Sequence, residues 1–233
     1  SIPQKRDFFI EINPENYLVK GLAAAIGVLV ICHLLGEILN WPAWIYQLLF
    51  HLDREGTIAT WFSSILWALN ASIAVGCAVA VKNKREERIW LGVAVIFGLF
   101  SLDETAMIHE RLGESLTHFL WGDEAAHIYH AVKWPFLLAP IVLGVFVVFI
   151  SSFVHCLRNN RRALCQVLYG LGLVFFGAFG LETMVGSGYF FSGPLQWLLK
   201  IEVVFEETLE MLGALCILSG LLSYKKDSFL RAN

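Results

Sequence analysis

Apolar runs of about twenty residues, separated by short polar breaks, dominate the chain from end to end. A helix rises 1.5 Å per residue, so about 20 apolar residues cross the roughly 30 Å of hydrocarbon in a bilayer. By that measure the pattern predicts about six membrane spans, near 18–40, 58–81, 89–112, 133–157, 163–185 and 197–222. The breaks are "NWPAW", "KNKREER", "RNNRR" and "SGPLQ", and the last span ends at "SYKKD". Two further stretches, 41–56 and 113–131, carry Trp, Phe and Tyr among polar residues and are expected to form short helices at the headgroup level. The expected fold is therefore all-α: a polytopic bundle in one transmembrane domain over 1–233.

Composition agrees with the pattern. Of 233 residues 57% are hydrophobic and 16% charged, with mean hydropathy +0.64, a balance too apolar for an ordinary water-soluble domain. The net charge of −3 and the lack of a basic, aromatic-interleaved patch exclude a nucleic-acid partner and leave the lipid bilayer as the main one. The five cysteines show no CxxC spacing, so neither a disulfide framework nor a thiolate metal site is expected. The polar N-terminal segment lacks a small-residue cleavage site, and the first apolar run is expected to remain as a span.

Charge placement sets an expected orientation, because cytoplasmic loops retain lysine and arginine. With the N-terminus inside, the inner segments hold Lys5, Arg6, Lys20, Lys82, Lys84, Arg85, Arg88, Arg158, Arg161, Arg162, Lys225, Lys226 and Arg231. Only Arg54, Arg111, Lys133 and Lys200 fall outside. The expectation is N-in and C-in, in a bacterial cytoplasmic (inner) membrane.

On that topology the acids and histidines collect on the outer side, facing the periplasm or exterior. His33, Asp103 and Glu210 lie about 9–12 Å below the outer edge of the hydrocarbon, and Glu37, Glu104, Glu206 and Glu207 are somewhat shallower. Glu110, Glu182, Glu202, His127 and His130 lie near the surface. At about 100° per residue, Asp103, Glu110 and Glu114 share one face of the third span with Gly92, with His109 about a third of a turn away. Glu202, Glu206 and Glu210 share an arc of the sixth with Gly213 and Gly220. Small residues let membrane helices approach closely, so both acid faces are expected to point into the bundle.

An ionised carboxylate at membrane depth costs about 2.5–3.5 kcal/mol on insertion scales, so these groups need protons, cations or water. Mixed carboxylate and imidazole donors suit Zn or Fe better than Ca or Mg. The expected site is a metal-dependent one, with His33, Asp103, His109, Glu110, His127, Glu206 and Glu210 as ligands and Glu104 or Glu207 as general base. Glu37, Asp123, Glu124, His130, Glu182 and Glu202 are accessory candidates. Glu124 and His127 have the Glu-x-x-His spacing of di-iron bundles, but only one copy is present. There is no HExxH, phosphate loop or GxSxG elbow, so no nucleotide cofactor is expected.

These features point to a membrane enzyme, hydrolase or oxidoreductase, acting on a lipid or other apolar substrate that enters laterally. Two alternatives use the same residues differently. A proton- or cation-coupled transporter needs polar groups continuing inward, where "GLAAAIGVLV" and "GALCILSGLL" offer almost none. A non-catalytic subunit needs a membrane-complex partner. Asn70, near the middle of the second span, is expected to make an interhelical hydrogen bond.

Overall fold

The computed structural model describes residues 14–52, 54–122, 134–181 and 196–232, all built on helices and the turns between them. α1 spans Pro14–Ile38, with proline in its first turn, where a missing N–H leaves no bond unmade. α2 starts at Ala43–Ile45 and widens into a π-helical turn at Tyr46–Phe50. α3 (Ile58–Ala80) is capped by the Thr57 hydroxyl, which accepts the Thr60 backbone N–H. α4 (Lys84–Ala106) is capped in the same way by Asn83. α5 (Ile108–Trp121) and α6 (Trp134–Leu157) follow. α7 (Arg161–Phe175) runs into a second π turn, Phe176–Leu181, and α8 covers Gln196–Ala232.

Among the described residues, five helices are long and apolar enough to cross a membrane: α1, α3, α4, α6 and α7 with its π turn. They coincide closely with the first five predicted spans. The predicted sixth lies within α8, whose 37 residues exceed a bilayer's thickness, but Glu202, Glu206, Glu207 and Glu210 load its first half. Large apolar side chains such as Val79, Val95 and Ile141 stand on the outside of the helices, where water would be a poor solvent and lipid tails a good one. The bundle thus has the character of an integral membrane protein.

The third predicted span is shifted toward the N-terminus, covering 84–106 where 89–112 was expected. Instead of running to 112, α4 stops at Ala106, and Met107 takes a left-handed conformation with φ of 50° before α5 begins. A left-handed residue other than glycine is costly and persists only where its surroundings hold it. Here the Met107 N–H closes onto the Asp103 carbonyl at 2.8 Å, while the Asp103 carboxylate takes the His109 backbone N–H at 2.9 Å.

Contacts between helices close a ring. α8 packs on α7 and α3, α3 on α4, α4 on α6, and α6 on α7; α1 lies against α8, and α5 against α6. Aromatic rings join α4 to α6, with Phe97 stacked on Phe149 at 5.3 Å and Trp90 edge-on to Phe153. The α7–α8 contact is made by glycine: Gly170 and Gly213 cross so closely that a Cβ on Gly213 would sit 2.7 Å from the Gly170 carbonyl oxygen. The small-residue face predicted for the sixth span therefore does point into the bundle. That of the third does not, because Gly92 is exposed with nothing within 4 Å of an added Cβ.

The ring also fixes depth. α4 and α8 are antiparallel and touch where Trp90 meets Tyr224 at 5.4 Å. Asp103 lies about 20 Å along α4 from that contact, and Glu210 about 21 Å along α8, so the acids of both helices reach a common level. α3 stands between those two helices, packed on both. Asn70 of α3 makes the expected interhelical bond, donating to the Ala214 carbonyl at 2.9 Å.

Candidate functional site

The break at Met107 builds the most connected polar group. Turning the chain there brings His109 back over the end of α4, and its Nδ1 lies 2.6 Å from Asp103 Oδ2. A carboxylate oxygen accepts, so Nδ1 carries the proton; in the neutral ring the basic lone pair is then on Nε2. Asp103 thus holds both the backbone and the ring of His109. A continuous helix would have set His109 off the Asp103 face. The stripe of Asp103, Glu110 and Glu114 drawn from helical phase does not survive the break, and Glu114 is exposed on α5.

Glu104, next to Asp103, turns toward α3. The Trp67 indole N–H donates to its Oε1 at 3.1 Å, and the Ser63 hydroxyl bonds to it as well. Ser63, Trp67 and Asn70 are spaced i, i+4, i+7 on α3 and form one polar stripe along an otherwise apolar helix. Just beside it, Ser64 and Ser101 exchange hydroxyl-to-carbonyl bonds of 2.8 and 2.9 Å, tying α3 to α4 at this level. The Ser63, Trp67 and Ser64 partners went unrecognised in the sequence, although the stripe was there to be read.

A second group forms where α2 folds back on α1. Tyr46 donates to Glu37 Oε1 at 2.6 Å and lies 3.4 Å from His33 Nδ1, and the rings of His33, Tyr46 and His51 stand 5.2–5.5 Å apart. Gly36 makes this docking possible, because a Cβ there would run into the Tyr46 ring. Burial, reinforced by the hydrogen bond to Glu37 and its charge, pushes the Tyr46 phenol above the usual tyrosine range. His33 is only 3% exposed, and its Nδ1 accepts the Leu52 backbone N–H at 3.2 Å.

Glu55, on the turn between these groups, was also missed. Loss of surrounding water raises its carboxyl first, and the charges of Glu110 and Asp103 raise it further against the opposing pull of His109 and Arg111. A group whose folded pKa exceeds its unfolded one stabilises below the unfolded value, and that contribution is lost as pH rises through the folded value. At neutral pH the Glu55 charge is therefore a net liability. Glu55→Gln should raise the midpoint of thermal unfolding at about pH 7, and the gain should vanish below the ordinary glutamate value of 4.5. Identical wild-type and variant melting curves at both pH values would refute this.

The acids of α8 form a third wall. Glu206 and Glu210 pass over Gly177 in the π turn of α7, where an added Cβ would touch the Glu206 carbonyl oxygen and Glu210 Cγ, each at 3.1 Å. Glu202 and Glu207 are half-buried on the same helix.

The expected ligand set gains no support from the described residues. Among the described residues, no three His, Cys, Asp or Glu side chains form a metal-holding group. α3, which carries none of these candidates, packs on both α4 and α8. His33 Nδ1 accepts the Leu52 backbone N–H. His127, Asp123, Glu124, His130 and Glu182 lie outside the described residues.

Residues 21–224 match the sequence family described as a domain of unknown function, DUF8692. No curated protein and no solved structure matches the chain.

Proposed function

Since the chain belongs to the DUF8692 family, whose description leaves the chemistry open, we propose a function from the site itself. The protein is an integral membrane enzyme that performs acid–base chemistry on a lipid or other apolar substrate, with the Asp103–His109 pair as its working group. The observation that carries this reading is the 2.6 Å contact between Asp103 Oδ2 and His109 Nδ1 at a helix break within a polar end of the bundle. Asp103 fixes the tautomer and steadies the imidazolium that forms when Nε2 takes a proton. Glu104, held by Trp67 and Ser63 one residue away, is the second carboxyl able to store or return that proton.

Lysine and arginine placement supports an N-in, C-in bundle of six spans, α8 included, with this end facing the outer side. The substrate then reaches the pair through the outer leaflet. The same geometry also suits a metal, because a carboxylate commonly orients a ligating histidine through its other ring nitrogen. Zinc or iron on His109 Nε2 would need further carboxylate or imidazole ligands beside it. A bound metal would supply Lewis acidity, while Asp103 would remain the residue that orients His109.

The test is to incubate the protein in nanodiscs with a membrane lipid extract, follow the lipids by mass spectrometry, and measure bound metal by elemental analysis. The wild type should convert one lipid class, and His109→Gln should not. Equal conversion by both proteins would defeat the proposal. So would the absence of conversion together with ion uptake in proteoliposomes, which would mark a transporter.

A further inference from the structure

His33 was expected to be a ligand, yet its hydrogen bonding assigns it another task. A backbone N–H can only donate, so the 3.2 Å bond from Leu52 makes His33 Nδ1 an acceptor. Leu52 is itself only 2% exposed, so this bond is shielded from water. The Tyr46 phenol lies 3.4 Å from the same nitrogen, and the His51 ring meets the His33 ring edge-on at 5.2 Å. Two residues on, the chain is pinned again: Thr60 Oγ1 donates to the Arg54 carbonyl at 2.9 Å, and the Thr57 hydroxyl caps α3. Between and below these anchors, Gly56, Thr57, Thr60 and Trp61 line a cleft whose far wall is Thr105, the residue directly after Glu104.

We propose that His33 is a positioning residue, a clamp from α1 that seats the 51–57 turn against the ends of α3 and α4 so that it forms the rim of the Asp103–Glu104–His109 site. The link to catalysis rests on the function proposed above; the clamp itself does not. Its chemistry is specific. The acceptor at the Nδ1 position holds the turn, so an amide oxygen at that place should serve and a hydrocarbon should not. Asparagine can place its Oδ1 close to where Nδ1 lies, whereas leucine fills the volume without an acceptor.

The experiment is amide hydrogen exchange on the full chain in nanodiscs, comparing wild type, His33→Leu and His33→Asn, with lipid conversion measured on the same samples. Losing one net hydrogen bond should speed exchange at Leu52 and along 51–57 by about tenfold in His33→Leu, with α3 and α4 unchanged. His33→Asn should exchange within about threefold of wild type and recover the conversion that His33→Leu loses. Wild-type exchange in His33→Leu would overturn the clamp, as would equally fast exchange in both variants. Fast exchange with undiminished conversion would overturn the positioning role. If the wild type converts nothing, the enzyme reading fails, while the exchange rates still decide the clamp.

Discussion

Replacing Asp103 by asparagine should lower kcat by about 10²–10⁴, the range that positioned acid–base groups contribute, while the bundle stays folded. Asparagine is close to aspartate in shape, and the Met107 N–H bonds to the backbone carbonyl of residue 103, which the substitution leaves in place. What changes is the proton. Asp103 Oδ1 now accepts the His109 N–H at 2.9 Å and Oδ2 meets the ring at 2.6 Å. An amide has only one oxygen. If that oxygen stays on the backbone N–H, the NH₂ faces the ring and drives the proton from Nδ1 to Nε2, removing the lone pair needed there. If it turns to the ring, the backbone N–H at the helix break loses its acceptor. Neither arrangement can stabilise an imidazolium as a carboxylate does. The check is kcat against pH with whichever lipid class the wild type converts. A variant within threefold of wild type across the profile would remove Asp103 from the chemistry.

The largest structural effect is expected at Gly213. A Cβ there would lie 2.6 Å from Val174 Cγ2, 2.7 Å from the Gly170 carbonyl oxygen and 2.9 Å from the Val174 backbone nitrogen. A valine methyl can turn aside, but two backbone atoms of α7 cannot, so a leucine must push the helices apart. Val167, Leu171 and Ile217, all buried, would lose their packing, and Glu206 and Glu210 would lift from the π turn. We expect Gly213→Leu to cost about 3 kcal/mol or more, at the upper end of overpacking effects. Gly92→Leu, at an open position, should change stability by less than about 1 kcal/mol, since leucine also gains helix propensity. The measurement is the temperature at which half of the detergent-solubilised protein remains monodisperse. Equal midpoints for the two variants would show that the α7–α8 crossing is looser than its geometry implies.

The two substitutions probe different levels of legibility. Gly213 was visible in the sequence as part of a small-residue arc that coincides with acids, and that reading fails for Gly92, whose face looks outward. Helical phase locates residues relative to one another on a helix; it does not say which neighbour lies opposite. The same limit explains the metal set. Asp103, His109, Glu110, Glu206 and Glu210 were expected in one pocket from depth and helical phase, and neither says which helices become neighbours. Which helix stands between them is a property of packing.

The amino-acid sequence alone determined the helical character, the membrane-like character and the approximate place of five apolar helices. All of these are local: they depend on how many consecutive residues avoid water and on the 1.5 Å rise that converts count to depth. Only the tertiary structure decided that α4 breaks at Met107 to bring His109 onto Asp103, that Trp67 and Ser63 bind Glu104, and that His33 accepts the Leu52 N–H. Those outcomes depend on which donors and acceptors meet once the helices pack. A carboxylate that can satisfy two N–H groups across a turn outweighs the helix's own preference to continue, and no periodicity along the chain records that competition.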